Sequence, residues 1–278
     1  MARETPFHKI HVKCAGEMVA EHGWLIPQHY GDMEAEVRAC RETIGVFDES
    51  SCSRIRVGGA GGAGALEKLL SFNIRKLAEG KQRYGVFCNE QGGIVEDGMV
   101  QHQGKSYLFI GNPQNRERLL NLLQEYNHSS EVKIDDETES TAMITLMGPK
   151  VVDLLKEKMP FDTDELAEDV VLVRNYFFMR IVIAQNRRPV PGATLILPAK
   201  MAAMGWELLE KYGEKYGICP AGFRARDMLY KEGGIPRYGE ELNEDINPFA
   251  AGLEDAVDLD RSFVGSVALA EMGISQDQ

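Results

Sequence analysis

Basic charge is in short supply in this chain of 278 residues: 31 Lys and Arg face 43 Asp and Glu, for a formal net charge of -12 and a pI near 5.1. Non-specific nucleic-acid binding needs a basic footprint to displace counterions from phosphates, so that class is excluded. Long apolar runs are missing too, and no stretch approaches the roughly 20 residues that span a bilayer. The opening Met1-Ala2-Arg3-Glu4-Thr5-Pro6 has no apolar core of the kind a secretory leader carries, so no export signal is expected. Cysteine is sparse. Cys14, Cys40, Cys52, Cys88 and Cys219 are odd in number, scattered, and form no C-x-x-C, which argues against a disulfide framework and a zinc knuckle. No low-complexity tail and no strict short-period repeat appears. The expectation is a cytoplasmic protein with free thiols and no membrane or nucleic-acid partner. A hydrophobic content of 44% and a charged content of 27% are ordinary for a soluble globular chain, and the length suffices for two modest domains.

Hydrophobic spacing predicts the elements. Met33, Val37, Cys40 and Ile44 recur at helical spacing over residues 32–44, with Asp32 able to cap the start and Gly45 able to end the helix. Residues 54–57 alternate as a half-exposed strand, and 65–70 read as a helix. Residues 84–87 and 94–100 form a hairpin around 89–93; 107–110 is a strand, 116–126 a helix and 132–134 a short strand. Residues 53–140 therefore read β-α-β-β-β-α-β, a compact α+β unit on an antiparallel sheet. The run Asp135-Asp136-Glu137-Thr138-Glu139 marks its boundary. Beyond it comes a second pattern: strands at 142–146, 170–173, 177–184 and 193–197, and helices at 151–158, 201–212 and 224–232.

Gly59-Ala60-Gly61-Gly62-Ala63-Gly64 matches the G-x-G-x-x-G of dinucleotide-binding folds. The preceding Arg54-Ile55-Arg56-Val57 is half polar, whereas a parallel Rossmann strand is apolar on both faces. The strands beyond Gly64 read as antiparallel, with no second β-α-β unit and no acid placed to hold a ribose. The run is read as a loop.

The most informative stretch is Asn89-Glu90-Gln91-Gly92-Gly93-Ile94-Val95-Glu96-Asp97-Gly98-Met99-Val100. A turn-forming run leads into an apolar strand that carries two carboxylates. Strict alternation puts Val95, Asp97 and Met99 on one face, and Ile94, Glu96, Gly98 and Val100 on the other. A carboxylate on an apolar face is costly unless something pairs with it or uses it. Elsewhere, His22 and Trp24 read as structural, with no spacing that suggests a metal. Gly222-Phe223-Arg224-Ala225-Arg226-Asp227 opens a helix on which Arg226 and Tyr230 share a face. A guanidinium held on a rigid helix can give a polar ligand several fixed hydrogen bonds. Gly233 to Glu240 is a turn-rich loop able to rim a pocket.

Taken in order, these segments resemble the aminomethyltransferase of the glycine cleavage system, the T-protein, and its folate-binding relatives. The resemblance rests on Thr5-Pro6-Phe7, Gly16 to Val19, Gly23-Trp24, Pro27, Tyr30, Arg41, Gly45-Val46-Phe47-Asp48 and Ser50. It continues through Tyr84, Asn89 to Asp97, Gly111-Asn112 and Gly148-Pro149. It closes on Ala225-Arg226-Asp227, Tyr238-Gly239, Asn247-Pro248, Ala251-Gly252-Leu253 and Phe263-Val264-Gly265. It implies an α+β fold with a discontinuous core domain, residues 1–52 and 141–278, and an inserted ferredoxin-like antiparallel-sheet domain, residues 53–140. It implies tetrahydrofolate as cofactor and a lipoyl carrier protein as partner. The implied reaction moves a methylene from an aminomethyl-lipoyl arm to tetrahydrofolate with release of ammonia. Asp97 falls on the family's second paired acid, the expected catalytic residue, with Glu96 on the first. Tyr84, Asp97, Asn112, Tyr176 and Arg226 fall on or near positions that line the folate cavity, and Asp97 is expected to line it with Tyr84, Asn112 and Arg226.

Three departures stand out. The family segment whose last Glu grips the pterin is replaced by Arg187-Arg188-Pro189-Val190-Pro191-Gly192-Ala193-Thr194, so a neutral Thr194 stands at the Glu position. One lost charged clamp costs about 1.5–3 kcal/mol of binding, and Thr194→Glu is expected to tighten binding about tenfold. Ser51 stands where the family has a His. Sequence for the family's C-terminal barrel does not come after Phe263-Val264-Gly265 before Gln278. Two readings stay open: a tetrahydrofolate-dependent aminomethyltransferase-like enzyme, favoured by Asp97 and Arg226, and a non-catalytic folate-binding accessory protein on the same fold. The family's iron–sulfur assembly branch is disfavoured, because residues 231–237, where its Cys motif would fall, hold no Cys.

Overall fold

The chain divides into two units in the computed structural model, which describes residues 2–127, 129–159, 162–176, 179–186 and 189–276. One unit is Met1–Ser51 with Thr138–Ile235; the other is Cys52–Glu137 with Pro236–Gln278. The resemblance places residues 236–278 in the core domain; the described residues from Pro236 onward fall instead in the second unit, where Leu242, Phe263 and Leu269 form a buried cluster with Val86, Cys88 and Ile94. Tyr84, Phe249, Leu253 and Val257 extend that cluster. The apolar residues of this turn-rich closing segment are spaced irregularly, so no periodicity reveals which sheet they cover.

In the first unit, six strands form one sheet in the spatial order Val171–Tyr176, Met179–Asn186, Gly192–Pro198, Thr141–Met147, Ile44–Asp48, Ile218–Pro220. All neighbours are antiparallel except Ile218–Pro220, which runs parallel to Ile44–Asp48. One core cluster contains Val46, Ile144, Leu146, Leu195 and Trp206. Another contains Phe47, Met147, Ala221, Ala225 and Leu229, and so lies under the helix Phe223–Glu232.

The predicted helix over 32–44 is the helix Met33–Glu42, capped as expected by the Asp32 carboxylate, which accepts from the Ala35 amide at 3.0 Å. Its end differs. Ile44 and Gly45 open the buried strand Ile44–Asp48, because an apolar Ile44-Gly45-Val46-Phe47 run inserted between two strands gains more from burial than from another helical turn. Gly45 is required there by closeness: a Cβ would stand 2.2 Å from the Cys40 sulfur. The strand expected from Phe177 begins at residues outside the described set and is seen as Met179–Asn186; Arg187 and Arg188 also lie outside it.

The second unit keeps the predicted β-α-β-β-β-α-β order: Ser53–Gly58, Gly62–Glu67, Gln82–Cys88, Ile94–His102, Ser106–Gly111, Arg116–Glu125 and Lys133–Asp136. Every strand pair is antiparallel, in the order Gln82–Cys88, Ile94–His102, Ser106–Gly111, Ser53–Gly58, Lys133–Asp136. The charged run at 135–139 is half strand, and Arg56 grips Glu137 through Nε at 2.5 Å and Nη2 at 2.8 Å. The glycine-rich run is structural. Gly59 takes φ +83°, a Cβ there would meet the Glu131 carbonyl at 2.1 Å, and the Gly61 amide donates to that same carbonyl at 3.2 Å. Backbone packed against backbone leaves the loop no cradle for a pyrophosphate.

Candidate active site

The turn before the two carboxylates is built by Asn89. Its side-chain oxygen accepts from the amides of Gln91 at 3.0 Å and Gly93 at 2.8 Å, and its amide donates to the Glu244 carbonyl at 3.2 Å. Gly92 supplies φ +85°, and Gly93 supplies room: a Cβ would sit 1.7 Å from the Glu244 oxygen. The Asn89 to Gly93 half of the motif is thus a clasp that fixes where the strand Ile94–His102 begins.

A β-bulge then sets the direction of the carboxylates. Gly85 pairs with Gly98, Val86 with Asp97 and Phe87 with Glu96, and the register then slips so that Cys88 pairs with Ile94. Ile94 joins the cluster of Val86 and Cys88, whereas Val100 joins that of Phe87 and Phe109. The alternation expected from sequence puts Ile94 and Val100 together. The extra residue of the bulge turns Ile94 to Asp97's side and leaves Glu96 on the side of Val100.

Asp97 and Glu96 are both buried, at 9% and 0% exposure. The Tyr84 hydroxyl donates to Asp97 Oδ2 at 2.9 Å, and Asn112 Nδ2 donates to Asp97 Oδ1 at 2.8 Å. The same Asn112 nitrogen donates to Glu96 Oε1 at 2.6 Å, and the Asp97 amide donates to that oxygen at 2.8 Å. Glu96 Oε2 is buried with no hydrogen-bond partner among the described residues. It lies over Gly111, where a Cβ would come within 3.1 Å of it and 2.4 Å of the Phe109 ring.

Charge follows from this packing. Burial, and then the neighbouring Asp97, push the Glu96 carboxyl up to about 8. Burial also raises Asp97, but the Tyr84 and Asn112 hydrogen bonds oppose it and hold that carboxyl at about 6. Near pH 7 Glu96 is mostly protonated and Asp97 mostly ionised, so the pair carries one negative charge with a defined address. That arrangement can hold a cationic amine, or stabilise positive charge developing on one.

Tyr84, Asp97 and Asn112 are therefore hydrogen-bonded together within the second unit. Tyr176 and Arg226 belong to the first unit. Tyr176 ends the strand Val171–Tyr176, opposite Met179, and is half-buried. Arg226 Nη1 donates to Glu49 Oε1 at 3.1 Å, and its guanidinium lies 4.6 Å from the Phe223 ring centre and 5.5 Å from that of Tyr230. Glu49 and Arg226 line a small, partly open pocket with Ile26, Phe47, Ser51 and Phe223.

Two features of this unit escape a reading of the sequence. Glu49 is one, although an acid so soon after the apolar Val46-Phe47 is a signal. The other is a buried chain in which His11 Nε2 lies 2.8 Å from Asp48 Oδ2 and the Tyr30 hydroxyl 2.7 Å from His11 Nδ1. No local spacing links those three residues.

A profile of the GCVT N-terminal domain matches residues 7–261. The chain belongs to that family. Among curated relatives of this GCVT-domain chain, the aminomethyltransferase of Thermotoga maritima is 31% identical over 276 residues, 96% of this chain and 74% of that protein. That of Rubrobacter xylanophilus is 33% identical over 278 residues, 96% of this chain and 72% of that protein. The GCVT-domain chain thus spans about three quarters of these relatives. The crystal structure of glycine cleavage system aminomethyltransferase T from Bartonella henselae matches with a TM-score of 0.89 at 23% identity, covering 98% of this chain and 74% of that one. At that identity the likeness speaks for the fold, an α+β T-protein fold as expected. No helix among the described residues is long and apolar enough to cross a membrane.

Proposed function

We propose that this GCVT-family chain is a tetrahydrofolate-dependent aminomethyltransferase-like enzyme of the cytoplasm that takes its one-carbon unit from a lipoyl carrier protein. The observation that carries the reading is Asp97: a buried carboxylate, ionised near neutral pH, fixed by Tyr84 on one oxygen and Asn112 on the other.

The donor set fits an amine. Each Asp97 oxygen keeps a lone pair beyond the one already used, and the residue as a whole is 9% exposed. Tetrahydrofolate supplies, when bound, the amine that accepts the one-carbon unit. Asp97 then holds positive charge beside that amine, at a place where little solvent competes. Tyr84 and Asn112 keep the carboxylate from rotating. Glu96, neutral, adds no second charge, and its Oε1 anchors Asn112.

The non-catalytic alternative is separated by turnover. With tetrahydrofolate and an aminomethylated lipoyl carrier, the enzyme reading expects ammonia and methylene-tetrahydrofolate in equal amounts. Binding of tetrahydrofolate without either product would leave the accessory-protein reading.

A further inference from the structure

Thr194, where a pterin-gripping carboxylate was expected, does not stand alone. It lies on the strand Gly192–Pro198 opposite Thr145, and Thr145 lies opposite Phe47 on the next strand. One residue past that strand, the Glu49 amide donates to the Met143 carbonyl at 3.0 Å, which continues the pairing. With side chains alternating across the sheet, Phe47, Glu49, Thr145 and Thr194 share one face. Their polar atoms form a chain: Asn186 Nδ2 donates to Thr194 Oγ1 at 2.7 Å, the Thr194 and Thr145 hydroxyls are 3.2 Å apart, and the Thr145 hydroxyl donates to Glu49 Oε2. A carboxylate is therefore present on this face, one hydroxyl away from Thr194 and carried just past the end of a different strand.

We propose that Glu49 is the binding carboxylate for the pterin in this chain, taking up the 2-amino and ring N–H donor edge that Thr194 cannot. The inference rests on the folate reading above. Glu49 is nine-tenths buried and faces the small, partly open pocket together with Arg226 and Phe223. Arg226 and Thr145 each take one of its oxygens, which leaves a lone pair on both. Two parallel N–H donors on a planar heterocycle match that pair of acceptors, as a guanidinium edge matches a carboxylate. Phe223, Phe47 and Ile26 supply apolar walls for a flat ring. Arg226 holds the carboxylate in place from a rigid helix and offsets the charge that burial would otherwise make costly.

Calorimetry with two probes tests this: tetrahydrofolate, and its analogue with methyl in place of the 2-amino group. The native protein is expected to prefer tetrahydrofolate about tenfold. Glu49→Gln is expected to bind tetrahydrofolate about tenfold more weakly and to lose the preference. Adding Thr194→Glu to Glu49→Gln restores both. Thr194→Glu alone gains little, in contrast to the tenfold expected from sequence, because two acids then compete for one donor edge. A purely structural Glu49 would not change the preference for the 2-amino group. Should Glu49→Gln fail to fold, Glu49→Asp keeps the charge facing Arg226 but draws it out of the pocket, with the same expected loss. Affinity and preference unchanged in these Glu49 variants would overturn the proposal alone. No binding of tetrahydrofolate by the native protein would remove the folate reading together with it.

Discussion

Asp48 in the first unit and Glu96 in the second are both carboxyls removed from water, yet they are driven in opposite directions. Burial works to raise Asp48, but the hydrogen bond and charge of His11, with help from Ser50, outweigh it and hold the group below the ordinary carboxylate range. Glu96 is buried as fully and faces neutral Asn112 and an acidic neighbour, so nothing outweighs burial and it rises to about 8. Depth alone does not decide the charge of a buried acid; the charge type of its partner does. Glu49 is met by a guanidinium, and Asp97 by a phenol and an amide. The first is built as an ion pair, and the second is a lone anion left to meet a cation from outside.

The largest expected effect breaks the ion pair. Arg226→Met leaves Glu49 buried without its cation and should lower stability by about 3 kcal/mol; adding Glu49→Gln should recover most of that loss in urea titrations. Loss of the same size in the double variant would mean that Arg226 acts through packing on Phe223 and Tyr230.

Next in size, for each pH unit, is a pH slope. Glu96 has a folded pKa raised above its unfolded value, so its contribution is complete below about 4.5 and is lost as pH rises toward about 8. Asp48, with a lowered folded pKa, contributes above its unfolded value and loses that contribution as pH falls. Between pH 5 and 8 the unfolding free energy should drop by up to about 1.4 kcal/mol per pH unit from Glu96 alone. Glu96→Gln should flatten this stretch and leave the acid-side loss intact. An unchanged slope in the variant would place the proton elsewhere.

The smallest effect sharpens the description of Asp97. Tyr84→Phe removes a hydrogen bond to the ionised carboxylate, worth about 1.5 kcal/mol. The acid limb of any activity profile should then move upward by about one pH unit, and the unfolding free energy should fall by about 1.4 kcal/mol above that limb but hardly at all below it.

The part of the second unit before residue 140 was legible in the sequence because its strands alternate cleanly and its turns carry Gly and Asn. Residues 53–140 gave the right element order, and Tyr84, Asp97 and Asn112 were brought together by one hairpin and its neighbour. What alternation could not show was the slip at Ile94, since a bulge leaves no mark on the hydrophobic pattern. The strand Ile44–Asp48 was hidden because Ile44 also completes the helical spacing begun at Met33. Glu49 reads as one acid among many; its burial comes from Thr145 and Arg226, which are 96 and 177 residues away along the chain.

The central claim is that Asp97 serves the reacting amine. The most direct test is the rate of methylene-tetrahydrofolate formation from tetrahydrofolate and an aminomethylated lipoyl carrier, measured for the native protein and for Asp97→Asn. The account predicts product from the native protein and a fall of about 10²–10³ in kcat for the variant, with tetrahydrofolate affinity changed far less. Equal rates in the two proteins, or no product from either, would contradict it.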